Sequence, residues 1–373
     1  MTQLKDAVFQ GVGKLMQSDQ AMKLLQNEAV MKAITKAFTV STEARTMVDQ
    51  QVATMVKSLK LVTRDELKAL RRNVERLDYE VVVVENESDD CLDRAQLDAL
   101  PANFRYFRRR EQGRSPVAAI NLGFAESRGD YIGLLVDGAR MLSPRVLEYA
   151  TLAWRMDSDS ITTVPGYHIG NEQHHAISDA SAAYAAEAAL LASIDWRANG
   201  YLLFEVATIG GGNRNGYLQP FMESNCVFAS RRHFERIGFA DPRFQLDGGG
   251  SINLHIFRAL GMHPRTRLVV LPGEGSFHQY HGGVTTRARE DRAAELAAHK
   301  RQLHGIWNEG FHSLRREPFL LGAVTPWAMP LLEHSARMGQ VRHQRLRGLG
   351  QPLWQDDEDL AADRYFNPTD PQR

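Results

Sequence analysis

Four consecutive valines, Val81 to Val84, leave this part of the chain little choice of structure. β-Branched side chains are stiff at χ1 and favour strands, and an unbroken apolar run is the mark of a strand covered on both faces, as in parallel α/β sheets. The run ends in the polar turn Glu85-Asn86-Glu87-Ser88-Asp89-Asp90. A helical pattern follows over residues 119–130. A second apolar run, Tyr131 to Val136, then ends at Asp137-Gly138-Ala139-Arg140. Polar residues at the carboxyl ends of such strands face the crevice where open α/β sheets bind ligands. Two such ends, one rich in acids and one with a single Asp, suit a hydroxylated or phosphorylated ligand.

Within this run, Asn121, Gly123 and Gly129 fit an Asn-x-Gly-x-x-x-Ala-x-Gly helix motif, with Ser127 at the small-residue position, placed between an acid-rich turn and an Asp-ended strand. The segment from about residue 79 to 312 therefore resembles glycosyltransferase family 2. The resemblance implies a GT-A-like α/β fold, a mostly parallel sheet flanked by helices. It also implies transfer of a sugar from a nucleotide-sugar donor, such as a UDP- or GDP-linked hexose, with inversion and with help from Mn²⁺ or Mg²⁺. Two departures stand out. The family's Asp-x-Asp is reduced to Asp137-Gly138-Ala139, and no strand and helix of the family's opening type is visible before Val81.

The resemblance assigns roles residue by residue. Glu85, Asn86 and Ser88 fall where the family contacts the nucleoside, and Asn121, Asp137, Arg140 and Asn225 complete the expected nucleotide-sugar set. Asp137 is the expected metal ligand, and His278 and His281 are its carry-over partners. Glu223 lies beside the expected donor sugar, and Asp247 stands nearest the family's catalytic acid. Each has a structural reading beside the functional one. Asp137 and Asp247 suit turns and caps, the 85–90 turn suits solvent, and Arg140 suits a salt bridge to Asp137. His-x-x-His in the glycine-flanked stretch 273–283 brings two imidazoles near one ion, although a lone His more often serves as a hydrogen-bonding group. Arg140 also suits diphosphate, because a planar guanidinium matches phosphate oxygens. His174-His175 shows no partnering pattern and reads as surface.

Residues 1–78 read as an all-helical arm. Apolar residues recur at three- and four-residue steps, including Val52, Met55, Val56 and Leu59. Thr63-Arg64-Asp65-Glu66 is a capping box, followed by a short coiled-coil seam at Leu67, Leu70, Val74 and Leu77. The arm resembles phasin-like helical proteins and is expected to mediate self-association. The helical period gives way at Asp78-Tyr79, which marks the expected boundary of the 79–312 domain. Residues 313–373, with Pro318, Pro326, Pro330, an Arg cluster and Asp356-Asp357-Glu358-Asp359, read as an extended, partly disordered tail.

Composition narrows the class further. With 45 basic and 45 acidic residues the formal net charge is zero, so nothing global points to nucleic acid. Two cysteines make no disulfide framework and fit a reducing compartment. No apolar stretch approaches the roughly 20 residues that span a bilayer. The expected location is cytoplasmic, with contact at a membrane surface left open. The expected partners are a nucleotide sugar and an acceptor glycan or other hydroxyl compound. The alternative reading is a catalytically inactive glycosyltransferase-fold scaffold that associates through its helices.

Overall fold

The chain divides at Asn73/Val74, and every residue described here belongs to Val74–Arg373. The structure, a computed structural model, describes residues 77–367 apart from 89–90, 111–114, 137–138, 173, 175–176, 178–179, 221, 223–224, 250 and 282–288. Residues 1–76 of the expected arm, with its coiled-coil seam up to Val74 and its phasin-like character, therefore lie outside the described residues.

The valine run forms strand β1 (Val81–Asn86), which pairs in parallel with β2 (Phe104–Arg109) across helix α1 (Arg94–Asp98). Asp93 caps α1, accepting from Gln96 N at 2.8 Å while Gln96 Oε1 accepts from Asp93 N at 2.9 Å. Both donors freed at the helix start are thereby satisfied. Arg108 and Arg109 lie within β2, where Arg108 pairs with Glu87 at 3.2 Å. β1 is half-buried along its whole length, because among the described residues it belongs to a sheet of only two strands. Helix α2 (Val117–Glu126) packs on β1, with Gly123 facing Val84.

Strand β3 (Tyr131–Leu135) enters a five-stranded sheet ordered β11-β9-β5-β8-β3. Its other members are β5 (Ser160–Thr163), β8 (Cys226–Ser230), β9 (Arg267–Val270) and β11 (Pro318–Leu320). β11, β9 and β5 run in parallel, whereas β8 is antiparallel to both β5 and β3. A second, four-stranded sheet is ordered β4-β10-β6-β7. It comprises β4 (Arg140–Leu142), β6 (Gly166–Ile169), β7 (Ala207–Ile209) and β10 (Ser276–His278). β10 and β6 are parallel, and β4 and β7 flank them antiparallel. The expected mostly parallel sheet is thus replaced by mixed sheets flanked by helices. A buried apolar run such as Val227-Phe228-Ala229 specifies burial on both faces and says nothing of strand direction.

Helices α3 (Val146–Met156), α4 (Ala180–Ala192), α5 (Arg231–Arg236), α6 (Ile252–Met262) and α7 (Arg289–Trp307) surround the sheets. Helix α6 buries Ile252, Ile256, Phe257 and Leu260, a single apolar face, in a core that also holds Ile161, Val227, Ala229, Phe234, Leu268 and Phe277. Gly200–Val206 form a 3₁₀ helix, after which Ala207–Ile209 pairs as β7. The glycine-flanked stretch 273–283 contains β10.

The expected extended tail carries α8 (Met329–Gly348) and α9 (Ala361–Phe366). The face of α8 that is buried consists of Leu331, Ser335, Gly339, Arg342 and Leu346, at helical spacing. Small, polar and charged residues at buried positions conceal such a face from a reading based on apolar residues. Among the described residues no helix is long and apolar enough to cross a membrane.

Candidate functional site

Arg140, His278, His168 and Thr208 stand opposite one another across β4, β10, β6 and β7. Directly opposed residues share a face of a sheet, so this register sets a guanidinium and two imidazoles in one row. His174, from the chain just after β6, brings a third imidazole and is 1% exposed. Ring centroids lie 4.4 Å apart for His168 and His174, 5.1 Å for His174 and His278, and 5.5 Å for His168 and His278. One ligand nitrogen from each of the three lies within 4.8 Å of the other two. His281 Nε2 is 2.9 Å from His278 Nε2. Tyr280 stands edge-on to His174.

Burial governs the chemistry of this cluster. It lowers the His174 pKa to about 4, with His278, His281 and Arg140 acting in the same direction and the hydrogen bond to Ile169 opposing them. His174 is therefore a neutral imidazole at neutral pH, the form that binds metal. Its Nε2 lies 3.2 Å from the Ile169 carbonyl, which only accepts, so Nε2 carries the proton. Glu187 of α4 accepts from Tyr280 N at 2.7 Å and from Gln279 Nε2 at 3.4 Å. Burial raises its pKa, while His281 pulls the other way. Arg140 Nη1 donates to Ser276 Oγ at 3.4 Å.

His278 and His281 meet one another, and His278 lies beside Arg140. The Gln279 N–H donates to the Ala139 carbonyl at 2.7 Å, so the chain just past residue 138 runs next to His278. Asp137 and Glu223 themselves lie outside the described residues. Glu85 accepts from Leu92 N at 3.1 Å and from Tyr106 Oη at 2.6 Å, and burial together with Glu85 pushes the Tyr106 hydroxyl up to about 12. Asn86 Nδ2 donates to the Ser115 carbonyl at 3.3 Å, and the Ser88 N–H donates to Cys91 Sγ at 3.2 Å. The Asn121 amide is committed at both ends, donating to the Ala240 carbonyl at 2.8 Å and accepting from Ala240 N at 3.0 Å. Asn225 Oδ1 accepts from Asn253 Nδ2 at 2.9 Å, which ties the start of β8 to α6. Asp247 occupies a 3₁₀ turn with Gly248 and Gly249 at φ 66° and 76°, and its backbone is hydrogen-bonded to His299. The left-handed region requires glycine at these two positions whatever else the turn does.

Sequence reasoning missed His168, His174 and Glu187. His174 is buried rather than on the surface, with its ring against His168 of β6, His278 of β10 and Tyr280. No local signal marks His168, whose role depends on the register between β6 and β10.

Comparison with known proteins finds a family match over part of the chain. Residues 61–138 match the family model of glycosyl transferase family 2. The match starts upstream of β1 and so takes in part of the expected helical arm. It covers the acid-rich turn, α2 and the end of β3. A similar solved structure is described as the crystal structure of GalNAc-T7 with UDP, GalNAc and Mn²⁺. It is 12% identical with a TM-score of 0.37, and the alignment covers 75% of this chain and 54% of that one. The chain thus spans about half the length of that structure. No curated protein matches.

Proposed function

We propose that this chain is a glycosyltransferase that moves a sugar from a nucleotide-sugar donor to a hydroxyl-bearing acceptor, such as a glycan, with inversion. The observation that carries the reading is the family match over residues 61–138, a segment that holds Glu85, Asn86, Ser88, Asn121 and Asp137. In this reading the turn after β1 receives the nucleoside. Arg140 faces the diphosphate, which gains a further negative charge as it leaves and needs positive charge beside it. Asp247 takes the acceptor proton, and Glu223 and Asn225 orient the donor sugar. A divalent ion such as Mn²⁺ or Mg²⁺ would be held by Asp137 with His278 and His281, where it would supply charge to the leaving group. The buried, neutral imidazole of His174 beside His278 supports a cation there. The protein would work in the cytoplasm or at a membrane surface, and residues 1–78 would join copies of it.

A second reading, an inactive scaffold with this fold, is favoured by a specific pair of observations. Ala139 stands where the second acid of Asp-x-Asp is expected, and the Glu85 carboxylate already serves Leu92 and Tyr106.

Thermal unfolding against UDP-, GDP- and TDP-sugars, with and without Mn²⁺, separates the two readings. A ligand at about 100 times its Kd adds about 2.7 kcal/mol to stability. A metal-dependent rise with one nucleotide class, together with donor hydrolysis abolished in Asp137→Ala, supports transfer. No shift with any donor sinks it and leaves the scaffold.

A further inference from the structure

We propose that Ser230, His233 and Asp159 form an acid-labile latch: one proton taken up by the His233 imidazole loosens α5 and the Gly238-Phe239 turn from the sheet. The device lies at the end of β8 away from Asn225 and does not depend on glycosyl transfer.

The latch is built from groups that face one another across three segments. Ser230 ends β8, and His233 lies in α5, which starts at the next residue. Asp159 stands just before β5, which pairs with β8. Ser230 Oγ lies 2.5 Å from His233 Nδ1, and the two residues are 5% and 1% exposed. The other ring nitrogen, Nε2, is also buried and lies 3.6 Å from Asp159 Oδ1, beyond hydrogen-bond length. A carboxylate only accepts. The neutral ring therefore carries its proton on Nε2, and Nδ1 accepts from the Ser230 hydroxyl.

An incoming proton goes to Nδ1. It turns that atom from acceptor into donor, so the Ser230 hydroxyl hydrogen loses its partner in a buried place. It also sets a positive charge on a ring held out of water. Burial, Arg236 and Arg232 of α5, and His263 from the turn after α6 all lower the His233 pKa below 6.5, while Asp159 pulls the other way. Asp159 is already engaged by Arg232 at 2.6 Å and stands 3.9 Å from Arg265. The closed latch thus holds a neutral ring, and the open form takes the proton first as pH falls below 6.5.

The segment beyond His233 is poised to move. Gly238 and Phe239 follow α5 at φ 76° and 61°. The left-handed region is costly for a residue with a side chain and lasts only while its surroundings enforce it. The Phe239 N–H donates to the Phe234 carbonyl at 2.8 Å, and its ring lies 5.0 Å from that of Phe124. Ala240, next in the chain, grips Asn121. Arg231, tied to the Phe124, Ser127 and Gly129 carbonyls, keeps the start of α5 in place. Opening is therefore confined to the residues after it and loosens the junction of α5 with α2.

Amide exchange of the full-length chain, read by mass spectrometry from about pH 7.5 to about pH 5 and corrected for intrinsic rates, tests the latch. Protection over residues 231–240 is expected to fall at least about tenfold more than protection of α6 across this range. His233→Gln, which does not titrate, is expected to lose that difference. Arg236→Gln removes an exposed charge that opposes protonation and is expected to move the midpoint of the loosening to higher pH. Equal changes in the two segments of the wild type overturn the latch. A difference that persists in folded His233→Gln also overturns it. If His233→Gln does not fold, Arg236→Gln decides, and an unmoved midpoint there overturns the proposal.

Discussion

Ser143 donates to Glu274 Oε2 at 2.5 Å, joining the entry to α3 with the turn that leads into β10. The same carboxylate accepts from Arg145 N at 3.2 Å and from Tyr201 Oη at 2.8 Å, and Glu274 is 1% exposed. Glu274→Ala removes the shared acceptor and leaves three donors behind, for a loss of about 3 kcal/mol in chemical denaturation. Burial raises the Glu274 pKa above 4.5 despite these bonds. The folded state thus holds the proton more tightly than the unfolded state. Stability should fall as pH rises through the window just above 4.5. Glu274→Gln, which has no proton to lose, should lack that slope.

His174 works in the opposite sense. Its pKa falls from 6.5 unfolded to about 4 folded, so the unfolded chain binds the extra proton between those values. The contribution is fully present above pH 6.5 and is lost as pH drops towards 4, by at most about 3 kcal/mol. Denaturation of chelator-treated protein across this range should show the loss, and His174→Asn should remove it. An unchanged profile in the variant would place the titration elsewhere.

Asn121 and Ala240 form a two-way amide clamp between α2 and the turn after α5. Asn121→Ala should cost about 1–2 kcal/mol in thermal unfolding. Asn121→Asp should cost more, since it sets a carboxylate against the Ala240 carbonyl. Nucleotide-sugar affinity of the folded Ala variant should match wild type, because the amide spends its hydrogen bonds inside the protein. A large loss of affinity would return Asn121 to the binding set.

Arg342 on α8 is 2% exposed and pairs with Asp356, also donating to the Leu353 carbonyl. Arg342→Ala leaves the buried Asp356 carboxylate with the Glu358 N–H and a longer contact to Arg315 at 3.6 Å, for a loss of about 3 kcal/mol. Pairing Arg342→Met with Asp356→Asn should restore much of that loss. Denaturation of the single and double variants checks the coupling between the two residues.

Legibility followed how local each feature is. The Val81 and Tyr131 strands and the helix between them announce themselves by runs and periods that neighbouring residues carry. The α8 helix was hidden because its buried face includes Ser335, Gly339 and Arg342, which meet Tyr217, Leu218 and Asp356. At the candidate site, His278, His281 and Arg140 were singled out by order along the chain, and the structure brings them together. His168 and His174 were not, since their nearness to His278 arises from the pairing of strands far apart in sequence.

By itself the sequence determined an α/β domain built on apolar strand runs with polar carboxyl ends, because burial and periodicity are properties of a few adjacent residues. Only the tertiary structure decided that β8 runs antiparallel between β3 and β5, that Glu85 and Asn121 spend their hydrogen bonds inside the protein, and that three histidines share one buried face. Strand direction, register and the partner of a buried polar group depend on which distant segment comes alongside, and no local pattern encodes that choice.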